Sequence, residues 1–169
     1  MTTLVLTLVG DDRAGIVAAV ATIVDAAGGN WGSSQLAELS GAFAGIVEVS
    51  VPDERADELR EALGGMEGLV TVAAVGAASA AHAPARHLAL QVLGNDHPGI
   101  VREITAALSA HGLSIDRMTT EVRDAAMSGG SLFEASIEAR VPAGLDVNDV
   151  RGELERVAAE IQVDLTVSD

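Results

Sequence analysis

Residues 8–17 read LVGDDRAGIV, and residues 92–101 read VLGNDHPGIV. Each phrase starts its motif at a glycine and continues with a polar pair ending in Asp12 or Asp96. A cation or imidazole follows, Arg13 or His97, and both phrases close on Gly-Ile-Val. The phrases stand at an offset of 84, and their surroundings repeat with them: Leu4 and Leu6 meet Leu88 and Leu90, and Gly28 meets Gly112. Further on the offset becomes 90, where Phe43 meets Phe133, Val47 meets Ile137, and Val51-Pro52 meets Val141-Pro142. The second copy thus has six extra residues, within Arg123–Gly130, a loop-like stretch where insertions are tolerated. Two copies make two domains, 1–76 and 88–169, too few for a solenoid. The Ala-rich stretch 77–87, with Pro84, reads as a linker.

Each copy predicts the same order of elements. TLVLTLV (3–9) alternates like a strand with one buried face. Ile16, Val17, Val20, Ile23, Val24 and Ala27 then recur at helical spacing, as do Ile100, Val101, Ile104, Leu108 and His111. Gly28 and Gly112 stand where left-handed C-caps end helices. Strands follow over Trp31–Leu39 and Phe43–Val51, joined at Ser40-Gly41. Their counterparts are Ser114–Val122 and Ser131–Val141. Asp53 and Asp146 are expected to cap second helices carrying Leu59 and Leu63, and Val150 and Leu154. Last strands run over Leu69–Val75 and Ile161–Val167. The class is α+β: two ferredoxin-like βαββαβ domains in tandem, each with one sheet face that must find a partner or stay wet.

The repeated phrase joins the first strand to the first helix. Gly10 and Gly94 are expected to allow a tight exit from the strand. Asp12 and Asp96 are placed to accept N–H bonds near the helix start, and Pro98 suits the first turn. Gly15 and Gly99 remove a side chain where backbone comes close to something. First-turn amides and the helix dipole favour an anion there, such as a small carboxylate. A capped turn merely copied by duplication explains the Asp and the Pro as well. It explains less easily a glycine where a helix former would be favoured.

Composition removes several classes of function. The 169 residues are 49% hydrophobic, but no apolar run reaches the ~18 needed for a membrane helix. The first ten residues, MTTLVLTLVG, read as a strand and not a signal peptide. There is no cysteine, and a cytoplasmic location is the default expectation. Net charge is -15, shared evenly: residues 1–76 and 88–169 each carry -8, with Arg86 between them. All ten basic side chains are arginine. Direct contact with nucleic acid is therefore not expected. The P-loop motif is absent, as is its lysine. His82, His87, His97 and His111 lack the spacing of a metal site. His97 beside Asp96 has no nucleophile constellation, and Gly129–Ser131 is not the G-x-S-x-G elbow. No catalytic residue, metal or cofactor is expected, and Trp31 is expected to pack in a core.

GDDRAGIV and GNDHPGIV resemble the D-R/H-P-G-I/L-V signature of ACT domains, and the βαββαβ order around them is similar too. The likeness covers nearly the whole chain, twice. A stand-alone tandem pair is similar to the glycine cleavage system transcriptional repressor group. The resemblance implies a non-enzymatic regulator that binds a small amino acid, with glycine or serine as candidates, at interfaces between ACT domains. It implies a protein partner, a transcription factor or a metabolic enzyme, and allows a homo-oligomer. The alternative is an accessory regulatory subunit of an amino-acid or one-carbon enzyme. Carried over residue by residue, it places ligand contacts at Asn95, Asp96, His97, Pro98, Gly99 and Ile100. In the first copy they fall at Asp11, Asp12, Arg13, Ala14, Gly15 and Ile16. Asn30 and Ser114, just after the helix-ending glycines, join them. Ala14 in place of Pro98 leaves the first loop less constrained.

Overall fold

The computed structural model describes residues 1–76, 86–125 and 129–168. The chain divides into two compact units, Met1–Ala81 and His82–Asp169. Of the stretch read as a linker, residues 77–85 lie outside the described residues, with His82 and Pro84 among them. Arg86 and His87 already pair with Val141 and Arg140 as strand.

Unit 1 runs β1 (Thr2–Asp11), α1 (Ile16–Ala26), β2 (Asn30–Leu39), β3 (Ala42–Val51), α2 (Ala56–Gly64) and β4 (Leu69–Val75). Its strands pair antiparallel in the order β2-β3-β1-β4. The strand alternation seen in TLVLTLV becomes a two-faced sheet. Leu4, Leu6 and Leu8 are at most 1% exposed and pack with Ile16, Val20 and Val24 of α1 and Leu59 and Leu63 of α2. Trp31 is half-buried against this core. Ser40 (φ 51°) and Gly41 (φ 84°) form the two-residue hairpin between β2 and β3. Two successive positive φ angles are those of a type I′ turn, whose twist matches the strands it joins.

Unit 2 repeats the plan: β5 (Arg86–Asn95), α3 (Ile100–Ala110), β6 (Ser114–Asp124), β7 (Ser131–Val141), α4 (Val147–Glu160) and β8 (Val163–Ser168), in the order β6-β7-β5-β8. Leu88, Leu90 and Val92 pack with Ile100, Ile104, Leu108, Val150 and Leu154. The βαββαβ expectation holds in both units. The extra residues of the second copy widen the β6–β7 connection, where Asp124 pairs with Ser131.

Helix ends show where local reading succeeded and where it did not. Gly28 and Gly112 close α1 and α3 with paired backbone bonds. Gly28 N–H donates to Asp25 O (2.8 Å) and Gly29 N–H to Val24 O (2.9 Å); Gly112 and Leu113 do the same to Ser109 and Leu108. That is the Schellman arrangement. Asp146 caps α4, accepting from Asn148 N–H at 2.9 Å. Asp53 does not cap α2. A single 3-10 turn, Asp53–Arg55, intervenes, and Asp53 instead accepts from Thr2 Oγ1 at 2.7 Å. This bond ties the turn to β1, and it comes first among the causes that hold the Asp53 carboxyl below its ordinary pKa.

Candidate functional site

The two repeated phrases form matching turns between β1 and α1 and between β5 and α3. In each, the strand continues one bond further than the sequence suggests. Asp12 N–H donates to Gly41 O (2.8 Å) and Asp96 N–H to Ser131 O (2.7 Å). The backbone of each Asp is thus fixed by the neighbouring β3 or β7 side, and its side chain stays exposed. Neither carboxylate caps the helix. Gly15 and Gly99 occupy the N-cap position, and neither helix start has a side-chain cap. Pro98 lies one residue before that N-cap and so outside the first turn.

The glycines act for reasons different from those expected. Gly15 and Gly99 have φ of 89° and 103°, the left-handed region that side chains with a Cβ disfavour. A Cβ at Gly15 would meet nothing within 4 Å, so steric crowding is not the reason for that glycine. Crowding belongs to Gly10 and Gly94, which lie inside their strands. A Cβ on Gly10 would overlap the Gly68 carbonyl oxygen, and one on Gly94 would stand 2.7 Å from Val163 Cγ1.

The cation position of the phrase is a clamp within its own unit. Arg13 Nη2 donates to Glu67 O at 2.6 Å, holding the turn before β4. His97 Nε2 faces Ile161 O at 2.8 Å, the equivalent carbonyl before β8, and Nδ1 faces Pro98 O at 3.1 Å. Two carbonyls accept and do not donate, so only the imidazolium satisfies both ring nitrogens. His97 is accordingly shifted above the ordinary imidazole value of 6.5. The Pro98 carbonyl contributes most, then the Ile161 carbonyl, with the Asp96 charge adding to them. The turn residues match their clamps. The long Arg13 side chain lies against Gly68 (φ 74°), whereas the shorter His97 goes with Gln162 (φ 57°).

Asp11, Asp12, Arg13, Ala14, Gly15 and Ile16 therefore form one continuous turn, as do Asn95, Asp96, His97, Pro98, Gly99 and Ile100. Ile16 and Ile100 are buried core residues, 3% and 2% exposed. The neighbouring Val17 and Val101 are 42% and 41% exposed, an apolar side chain shown to solvent at the same place in both copies. Asn30 and Ser114 are not brought to these turns within their own units. Each lies past the far end of an eleven-residue helix, a rise of about 16 Å.

Ser114 does line a groove in unit 2. It runs between α3 and the start of β6, has a volume of about 570 Å³, and has Arg102, Thr105 and Ser109 along one side. Its floor includes Leu108 and Leu113. Arg102 joins groove to turn: its Nη2 stands 3.8 Å from where a Cβ on Gly99 would be. It is 80% exposed and pairs with Glu103 at 2.6 Å. Sequence reasoning passed over Arg102. The signal was its counterpart Ala18, a basic residue for a small one directly after the repeated Gly-Ile-Val. Among the described residues, no three His, Asp or Glu side chains gather as a metal site. No helix among them is long and apolar enough to cross a membrane.

Comparison with known proteins gives a consistent picture. A family model described as ACT domain matches residues 2–68. A protein from Galdieria sulphuraria is similar over 99% of this chain and 97% of its own, with 30% identity and a TM-score of 0.90. A proposed glycine cleavage system transcriptional repressor shares the fold at 22% identity and a TM-score of 0.69, over 99% of this chain and 96% of its own. No curated protein matches the chain in sequence.

Proposed function

The chain belongs to the ACT-domain family through residues 2–68, and unit 2 repeats the same βαββαβ plan; from that premise we propose that it is an amino-acid-responsive regulator with no catalytic activity of its own. The observation that carries this reading is the turn built twice. A left-handed glycine precedes a helix start that no side chain caps, beside an exposed Asp and an exposed Val. First-turn amides left without a partner in the helix suit a carboxylate.

The effector is a small amino acid, with glycine and serine as candidates. Its carboxylate takes the amides that open α3, and its ammonium meets Asp96 or Asn95. Arg102 and Ser114, along the adjoining groove, extend the same surface. Pro98 stiffens the second turn, and Ala14 leaves the first more adaptable, so unit 2 is the stronger site. In this reading His97 and Arg13 hold the turns in shape and do not touch the effector. Ligand that prefers one arrangement of the turn shifts the population toward it by the difference in affinity. A protein partner, a DNA-bound transcription factor, then reads that arrangement. The net charge of -15 supports control through a partner over direct binding to DNA.

A thermal-shift screen of the twenty amino acids tests the reading, followed by calorimetry on Asp96→Ala. A ligand at 100 times its Kd stabilises by about 2.7 kcal/mol. No shift with any amino acid, or an affinity unchanged by Asp96→Ala, removes the assignment. A partner recovered by co-purification that proves to be an amino-acid or one-carbon enzyme, and not a transcription factor, would replace the first reading with that of an accessory subunit.

A further inference from the structure

The two turns are fastened at the same place by different chemistry. In unit 1, Arg13 Nη2 donates to Glu67 O at 2.6 Å, and the next residue is Gly68, with φ 74°. In unit 2, His97 Nε2 faces Ile161 O at 2.8 Å, and the next residue is Gln162, with φ 57°. Leu69 and Val163 then stand beside Gly10 and Gly94, so the two connections match residue for residue. Both differences act in one direction. A guanidinium keeps its charge at any physiological pH, whereas an imidazolium loses its proton near neutrality. A left-handed backbone suits glycine and strains a residue with a Cβ. Unit 1 thus pairs a permanent tie with a relaxed connection, and unit 2 pairs a titratable tie with a strained one.

The position of the ring sets what deprotonation does. Nε2 faces Ile161 O, and Nδ1 faces Pro98 O at 3.1 Å. The neutral ring has a single N–H. If that N–H stays with Pro98, a lone pair meets the Ile161 oxygen and the tie to the β8 side is lost. If it stays with Ile161, the Pro98 carbonyl must swing away. That carbonyl shares a rigid peptide plane with the N–H of Gly99, the N-cap of α3. Either way the turn changes form.

We propose that His97 is a proton-operated latch on the β5–α3 turn of unit 2: the cationic ring fastens the turn to the connection before β8, and the neutral ring lets it change form, while Arg13 keeps the matching turn of unit 1 fastened. The neighbouring charges are engaged elsewhere or favour the cation. Asp96, just before His97, favours the cation. On the β8 side, Glu160 is held by Arg156, and Asp164 stands opposite Leu93 on the other face of the sheet. On α3, Arg102 pairs with Glu103 at 2.6 Å. On the β6–β7 side, Asp124 pairs with Ser131, whose carbonyl accepts from the Asp96 amide. Where the amides of this turn receive an effector carboxylate, the latch makes the affinity of unit 2 fall as pH rises and leaves that of unit 1 unchanged. That consequence rests on the effector reading above; the latch itself does not.

Nuclear magnetic resonance of the ligand-free full chain, from about pH 5.5 to about pH 9, tests the latch. The ring nitrogens of His97 report its protonation, and backbone amides report the turn. The amides of Gly99, Ile161 and Gln162 should shift with the His97 midpoint. Their counterparts Gly15, Glu67 and Gly68 should show no transition there. Hydrogen exchange over residues 161–164, corrected for its intrinsic pH dependence, should quicken by about tenfold or more above the midpoint, the loss of one charge-assisted bond. His97→Arg should flatten both responses, with circular dichroism confirming the fold. Exchange that does not quicken, or Gly99 and Gln162 amides that ignore the His97 titration, overturns the proposal. So does a His97→Arg chain that keeps the response, or a matching transition in unit 1. If His97→Arg does not fold, the comparison of the two wild-type turns decides. No ligand enters these measurements, so an absent thermal shift would remove the amino-acid reading and leave the latch standing.

Discussion

Replacing Gly10 with alanine separates the two jobs that glycine performs in the repeated phrase. Gly10 is flanked by Phe43 on β3 and Leu69 on β4. A methyl group there would overlap the Gly68 carbonyl oxygen and stand 3.2 Å from Leu69 Cδ1 and 3.3 Å from Leu69 Cα. The first and last of these neighbours are backbone and cannot rotate away, so β1 and β4 must separate. Overpacking of this kind costs about 1–3 kcal/mol, and the backbone contact places it near the upper end. Gly15 offers the contrast. Its surroundings are open, so Gly15→Ala meets only the strain of φ 89°, about 1–2 kcal/mol. Trp31, the only tryptophan in the chain, lies half-buried against the core of unit 1 and reports on that unit. Urea unfolding followed by its fluorescence measures both variants. With a slope of about 1 kcal/mol per molar urea for a small domain, Gly10→Ala lowers the midpoint by about 2–3 M and Gly15→Ala by about 1–2 M. A Gly10→Ala midpoint within about 0.5 M of wild type, or a Gly15→Ala variant that is the less stable of the two, would refute the close-approach reasoning.

Further outcomes follow from the same geometry. His97 is raised, so its clamp is fully present below the ordinary imidazole value of 6.5 and is lost as pH rises through the folded value. NMR titration should place the His97 midpoint above 6.5, and a midpoint at or below it removes the two-carbonyl clamp. His97→Arg, which copies Arg13, should abolish the pH dependence that His97 gives to unit 2. Asp116 shows the opposite sign. The Arg140 guanidinium, at 2.5 Å, holds its carboxyl below 3.8, with His87 adding to the effect. That contribution is present above 3.8 and lost as pH falls through the lowered value. Replacing Asp116 with Asn should make unit 2 less sensitive to acid, as read by circular dichroism below pH 4. Asp146→Ala removes the cap of α4 and should cost about 1 kcal/mol, with no change in the Trp31 signal. Arg102→Ala should weaken amino-acid binding about tenfold by calorimetry and leave the melting temperature unchanged.

The element order was legible because it is written in short-range pattern. Alternation at TLVLTLV, helical spacing from Ile16 to Ala27, Ser40-Gly41 at a hairpin and Gly28 at a helix end each depend on a few neighbouring residues. The duplication supplied a second reading of every element. The expectation of a cap held for Asp146 because capping is equally local, and failed for Asp53 because Thr2, far away in sequence, engages its carboxylate. The candidate turns were legible as positions but not as mechanisms. Nothing near Gly10 in sequence announces the Gly68 carbonyl, and nothing near His97 announces Ile161 O. Arg102 and the groove it lines depend on α3 lying beside β6.

Sequence alone thus determined two βαββαβ units, an acidic surface and a phrase needed at two strand-to-helix turns. Those properties follow from local backbone preference, burial periodicity and composition. Tertiary structure decided what each residue of the phrase does and which distant backbone carbonyl it meets. Both depend on strands brought side by side from distant parts of the chain, where register chooses every neighbour.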